Sequence, residues 1–203
     1  MDVKKYLTSI IDNMGEFENK NKVLVPDVTL DPDKIRMIMI SEVTPPNSDD
    51  YFYSRKPDGA FITSVLGLFK ASGVDFETID DIVNYGIYIT TAVKTPKNDY
   101  TITTDTIREQ LPILEAELDM FPNLKVIMLM GDVAKKAVNT IVRKRTKKGV
   151  IPSESTYKIR HQEFFYNGMR VFPSYIMTGE NILIEKSKVG MITEDIRNAL
   201  TII

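Results

Sequence analysis

Glu42 stands where an apolar run, Met37-Ile38-Met39-Ile40, gives way to Ser41-Glu42-Val43-Thr44-Pro45-Pro46. A carboxylate where a strand turns into a loop can act as a general base, orient a water or stabilise a nearby cation. The same residues also fit an exposed loop glutamate beside a proline turn. Tyr51-Phe52-Tyr53 follows Asp49-Asp50. Rings in a loop over a cleft can stack on a flat ligand, and nucleobases accept this readily. Equally, Phe52 could pack into the core and leave the tyrosines at the surface. Thr90-Thr91-Ala92-Val93-Lys94 offers a hydroxyl and a cation to a ligand, although threonines also suit a strand on propensity alone. The run 143–148, which holds Arg143, Lys144 and Arg145, is basic except for Thr146 and could grip phosphates or form a solvated loop.

Composition removes several other chemistries. The chain has no Cys, which excludes disulfides, thiolate metal sites, iron–sulfur clusters and a cysteine nucleophile. It has 1 His, so multi-histidine metal centres are excluded and any Ser-His-Asp machinery would need that residue. His161, between Arg160 and Gln162, has no partner in sequence and reads as a surface histidine. No Walker-type or GxGxxG phosphate loop is present. No metal and no organic cofactor is expected. With a net charge of −2, a strongly basic nucleic-acid binder is excluded, and any affinity for DNA would come from a local patch. No apolar run approaches the roughly 18 residues of a membrane span. The first residues have charges but no long apolar segment behind them, so no signal peptide is read and a cytoplasmic protein is expected. The oligomeric state is left open, with a monomer expected.

These residues need elements to position them. The 203 residues suit one domain, with 1–22 as an N-terminal helix and linker. Apolar spacing predicts helices over 2–14, 59–72, 104–121, 132–142 and 190–200. Thr106 and Glu109 have capping-box spacing in the third of these, and Pro112 marks a first turn or a kink. Buried strands are expected at 35–43, 86–93 and 125–130, because an apolar run on both faces suits a central parallel strand. Segments 163–166 and 169–172 flank Asn167-Gly168, a strong hairpin signal. Strands alternating with helices predict an α/β fold, a three-layer α/β/α sandwich around a mostly parallel four-stranded sheet. Ligands in such sheets bind at the carboxyl ends of the strands. That rule points to 41–53, 91–98, Gly131 and 172–180.

The order of these pieces resembles the uracil-DNA glycosylase superfamily, over about 35–200. Ile40-Ser41-Glu42-Val43-Thr44-Pro45 is similar to the first family motif, Gly-Glu-Ala-Pro-Gly in the iron–sulfur branch. Tyr88-Ile89-Thr90-Thr91-Ala92-Val93-Lys94 resembles the strand that reads Thr-Asn-Val-Val-Lys. The segment 124–134 resembles a Pro-Lys-Val-Ile-Val-Leu-Leu-Gly strand and its helix. Phe172-Pro173-Ser174-Tyr175 resembles the His-Pro-Ser motif. The resemblance implies a DNA base glycosylase that flips uracil or another deaminated base into a pocket and hydrolyses its glycosidic bond. It implies Glu42 as the catalytic carboxylate, and Val43, Tyr51, Tyr53 and Thr91 around the base. It implies contact with the DNA backbone through Ser174 and Tyr175, with Lys94, Arg143, Lys144 and Arg145 as further candidates.

Three departures bear on activity. The family's base-reading Asn is Thr91 here, and a hydroxyl cannot match an amide's paired donor and acceptor. The catalytic His of the last motif is Phe172, which donates nothing. The first motif's Gly is Ser41, and Thr44 displaces its Pro. The rival reading is therefore a catalytically inactive nucleic-acid or nucleotide binder on the same fold. An enzyme acting on free nucleosides is a third.

Overall fold

A computed structural model describes residues 1–96, 101–179, 182 and 185–203. Helix α1, Val3–Asp12, is capped by Asp2, whose side chain accepts from the Lys5 amide. Its Val3, Leu7 and Ile11 are buried, at the spacing of one helix face. There follow β1 (Met37–Thr44), α2 (Ala60–Ala71), α3 (Ile79–Asn84), β2 (Ile87–Pro96), α4 (Thr104–Asp119) and β3 (Val126–Met130). The chain continues through α5 (Asp132–Thr146), α6 (Thr156–Ile159), β4 (Phe164–Tyr166), β5 (Met169–Ser174) and α7 (Lys186–Leu200).

The strands form one sheet in the order β2-β1-β3-β5-β4. All adjacent pairs are parallel except β4 with β5. Strand parity shows which helices cover which face. Tyr88 and Thr90 of β2 donate to Glu117 of α4, and their register partners on β1 are Ile38 and Ile40. Ser174 of β5 donates to Asp195 of α7, and it shares a face with Phe172, which aligns through Met128 with Met39. Neighbouring side chains on a strand point to opposite faces. Hence α4 and α7 cover opposite faces, and the architecture is a three-layer α/β/α sandwich. The buried runs of β1 and β3 are apolar throughout because helices cover both faces.

The sheet has five strands where four were expected. The Asn167-Gly168 hairpin supplies the difference. Both turn residues have positive φ, 49° and 80°, the conformation a tight two-residue hairpin demands. Its second arm then continues as β5, parallel to β3, so the hairpin is built into the main sheet. Pro173 falls beyond the last β4 pair, Phe164↔Val171, where a missing N–H is tolerated.

Other expectations shift. Thr103 rather than Thr106 caps α4, accepting from the Thr106 amide at 3.0 Å. Pro112 lies inside that helix. The residues Arg143, Lys144 and Arg145 extend α5 instead of starting a loop, and cations in a last helical turn are favoured by the helix dipole. α7 starts before Gly190, at Lys186. The short α3 and α6 were not anticipated; α3 carries its own capping box, Thr78 with Asp81. No helix among the described residues is long and apolar enough to cross a membrane.

Candidate functional site

The chain runs from β1 outward to β2 on one side, then returns to place β3 on the other side of β1. The β1/β3 boundary is thus the point where strand order reverses, the usual place for a crevice in an open α/β sheet. A cleft of about 680 Å³ opens there. Its walls are the end of β1, Phe61 of α2, the Gly131–Asp132 turn, the segment before and into α6, the end of β5 and the start of α7.

Glu42 and Gly131 face each other across the boundary. Glu42 Oε1 accepts from the Val133 amide in the first turn of α5, at 3.0 Å. Among the described residues no protein donor meets Oε2, so that oxygen is the one available to a ligand or a water. Gly131 makes the arrangement possible in two ways. Its φ is +109°, which side chains rarely adopt, and a Cβ there would lie 2.4 Å from Glu42 Oε1. The glycine is therefore both the hinge into α5 and the seat of the carboxylate.

Of the residues singled out in the sequence, Glu42, Val43, Ser174 and Tyr175 line this cleft together. Ser174 has no exposed surface; its Oγ donates to Asp195 Oδ2 at 2.6 Å, under the cleft wall. Asp195 Oδ1 accepts from Arg160 at 2.8 Å, and the same guanidinium reaches Glu194 at 2.7 Å. Burial pushes the Asp195 carboxyl up, against the lowering effects of Ser174 and Arg160. Tyr175 is half-buried and donates to the Met191 sulfur at 3.5 Å.

Other candidates lie elsewhere. Tyr51 and Tyr53 are 4% exposed and do not line the cleft. Tyr53 donates to the Ile89 carbonyl at 2.9 Å, and burial raises both phenols above their usual range. Their loop instead supports the cleft from behind, since Phe52 packs on Phe61 with ring centroids 5.2 Å apart. The expected stacking wall is thus absent from Tyr51 and Tyr53, because an aromatic triplet beside an apolar sheet buries its area. Among the described residues the aromatics that line the cleft are Phe61, Tyr157 and Tyr175. Phe61 belongs to the apolar pattern of α2, and Tyr157 lies in a helix too short to show periodicity.

Thr91 is fully buried on β2 beside Ser41, and its hydroxyl has no partner among the described residues. Lys94 is also fully buried. Its Nζ donates to Glu117 at 2.5 Å and to Thr90 at 2.6 Å, a position from which no DNA phosphate is reached. Arg143, Lys144 and Arg145 lie at the far end of α5, roughly 17 Å along the axis from Asp132. Lys144 pairs with Glu115 and Arg145 with Asp119. His161 is exposed as read, with its ring nitrogen 2.8 Å from Arg160. Phe172 does not enter the cleft. It faces a separate hollow of about 310 Å³, under the Arg170 guanidinium.

Sequence reasoning missed Arg160 and Asp195. A visible signal was the acidic Asp195 at a buried position of α7, between Ile192, Ile196 and Ala199. Among the described residues no cluster of three or more His, Cys, Asp or Glu is arranged to hold a metal.

No family model matches the chain, and no curated protein matches it. Among solved structures the chain is similar to the wild-type uracil-DNA glycosylase UNG of Nitratifractor salsuginis. The two are 12% identical, with a TM-score of 0.40, over 94% of this chain and 84% of that one.

Proposed function

We propose that this protein hydrolyses the N-glycosidic bond of uracil or another deaminated base in DNA. The observation that carries the reading is Glu42: one carboxylate oxygen is fixed by the Val133 amide, and the other is uncommitted at the switch-point cleft. The motif resemblance around 40–45 and 172–175 supports it. In this mechanism the bond between C1′ and the base nitrogen breaks, and its electron pair leaves with the base. Positive charge develops on the sugar beside Glu42. Water adds at C1′, with Glu42 orienting it, and the water's proton is released as the base is protonated. Preorganised negative charge opposite a developing cation is an effective form of catalysis. Phe61 and Tyr175 offer rings to the base, and Phe172 leaves the cleft open.

One observation favours the rival, a catalytically inactive nucleic-acid or nucleotide binder. Among the described residues no Asn, Gln or His lines the cleft, and Thr91 is sealed in the sheet. The described lining therefore offers no amide with a paired donor and acceptor to a base edge. The test is an abasic-site assay on strands carrying uracil, hypoxanthine or xanthine, single-stranded and in mismatched duplexes. Cleavage that is lost in Glu42→Ala supports the enzyme. Binding without cleavage on every substrate supports the binder.

A further inference from the structure

Among the described residues three aromatic rings are largely exposed, and they are not equivalent. Phe165 is 58% exposed but lies under the Arg170 guanidinium, 5.5 Å from its centroid. Tyr85 is 50% exposed but packs edge-on against Phe76, with centroids 5.3 Å apart. Tyr157 is 72% exposed and has no ring or cation partner among the described residues. It is also the one of the three that lines the cleft. A bare aromatic ring in water forfeits the area it could bury.

The ring is held on a firm mount. In α6 the preceding Thr156 and the Ile159 two residues on are buried. The Thr156 hydroxyl accepts from Lys135 Nζ at 3.0 Å, and Lys135 is itself paired with Asp132 at 2.6 Å. The platform is thereby tied to the turn that seats Glu42. Lys158 follows Tyr157 in α6, and Lys136 follows Lys135 in α5; both are exposed and neither has an ion-pair partner among the described residues. Glu154 is the exposed acid on the same segment. An exposed ring with unpaired cations on the elements around it supplies what proteins use to hold single strands: bases stack on the ring and cations follow the phosphates.

We propose that Tyr157 is a stacking platform for the nucleotide next to the one in the cleft, and that the ligand is single-stranded. The inference rests on the reading of the cleft as a nucleobase site. When one base enters the cleft its neighbour is left with an uncovered face, and in a single strand that neighbour can swing onto Tyr157 without breaking a base pair. Stacking of this kind affects affinity and leaves the bond-breaking step alone.

The test uses the full chain with a fluorescent uracil-containing oligonucleotide, single-stranded and paired, read by anisotropy and by cleavage. Tyr157→Ala is expected to weaken single-strand binding roughly tenfold, to raise KM equally and to leave kcat unchanged. Tyr157→Trp is expected to keep wild-type affinity. Equal single-strand affinity in wild type and Tyr157→Ala overturns the platform, as does wild-type binding of duplex as tight as single strand. Loss of binding in Tyr157→Ala, with no cleavage by the wild type, retires the glycosylase reading and leaves the platform standing.

Discussion

Adjacent strands of this sheet end in opposite ways. At the carboxyl end of β2, Lys94 and Glu117 form an ion pair with both side chains at 0% exposure. Glu117 accepts from Tyr88 and Thr90 as well, and Gln110 takes the Lys94 amide at 2.6 Å. Every strong donor and acceptor of the pair is satisfied inside the protein. At the end of β1, Glu42 has among the described residues one protein donor and one oxygen without a donor. The first arrangement is closed and the second is open. A charged residue at a strand end thus signals a site only where something is left over for a ligand. For Lys94 nothing is left over, and its role is to complete the interior.

The largest effect is expected where the closed region is broken. Lys94→Ala leaves Glu117 buried without its cation, which costs about 3–5 kcal/mol. In a chain of this size that lowers Tm by roughly 10 °C. Lys94→Met with Glu117→Leu is expected to recover much of the loss, since a buried pair barely outperforms apolar packing. Thermal melts of the three proteins check this. A double variant no better than Lys94→Ala would show that the surrounding hydroxyls, not the pair, set the stability.

Gly131→Ala probes the open region. Its Cβ would meet Glu42 Oε1 at 2.4 Å, in a backbone conformation with φ +109°. The strain is expected to cost about 1–3 kcal/mol. Because the carboxylate must move, activity is expected to fall at least tenfold more than stability alone explains, measured as kcat at a temperature where the variant is fully folded. An unchanged kcat would mean that the seat of Glu42 is irrelevant.

Two carboxyls sharpen the contrast through pH. Asp81 is held below the usual carboxylate range by the Thr78 hydroxyl, then by the Glu77 and Thr78 amides. Its stabilisation is present above the unfolded-state value and is lost as pH falls through the folded one. Asp195 is raised by burial, so its contribution has the opposite sign: it is full below the unfolded-state value and is lost as pH rises through the folded one. A carboxyl-carbon NMR titration is expected to find Asp81 titrating below, and Asp195 above, the ordinary Asp midpoint. Coincident midpoints would deny that Asp195 is sealed under the cleft.

The smallest effect is expected from the basic end of α5. Replacing Arg143, Lys144 and Arg145 with Gln removes exposed or partly exposed pairs with Glu115 and Asp119, each costing at most about 1 kcal/mol. DNA affinity in low salt is expected to change less than twofold, because this helix end points away from the cleft. A steep loss would move the nucleic-acid surface to α5.

Much of the fold was legible because it follows from patterns a few residues long. The apolar run at Met37 to Ile40, the helical spacing in α1 and the Asn167-Gly168 turn each declare themselves locally. The end of the sheet that holds the cleft was legible in part, since strand ends follow from the order of elements: 41–46, Gly131 and 174–178 contribute to the lining, whereas 47–53 and 91–96 do not, and 97, 98 and 180 lie outside the described residues. What escaped was long-range pairing. Nothing near Lys94 in sequence announces Glu117, and nothing near Ser174 announces Asp195 or Arg160. Tyr51 and Tyr53 were misplaced for the same reason: Tyr53 is held by the Ile89 carbonyl and packs on Tyr88, both distant along the chain, and Tyr51 packs on Tyr53. Tyr157 escaped because a single turn of helix carries no periodicity.

The central claim is that Glu42 acts chemically at an open site. Single-turnover cleavage of a uracil-containing strand by wild type and by Glu42→Gln tests it most directly. Gln keeps an acceptor for the Val133 amide, so stability is expected to stay within about 0.5 kcal/mol. The cleavage rate is expected to fall at least about 100-fold with strand binding retained. Equal rates in the two proteins would contradict the account and leave Glu42 as a helix cap.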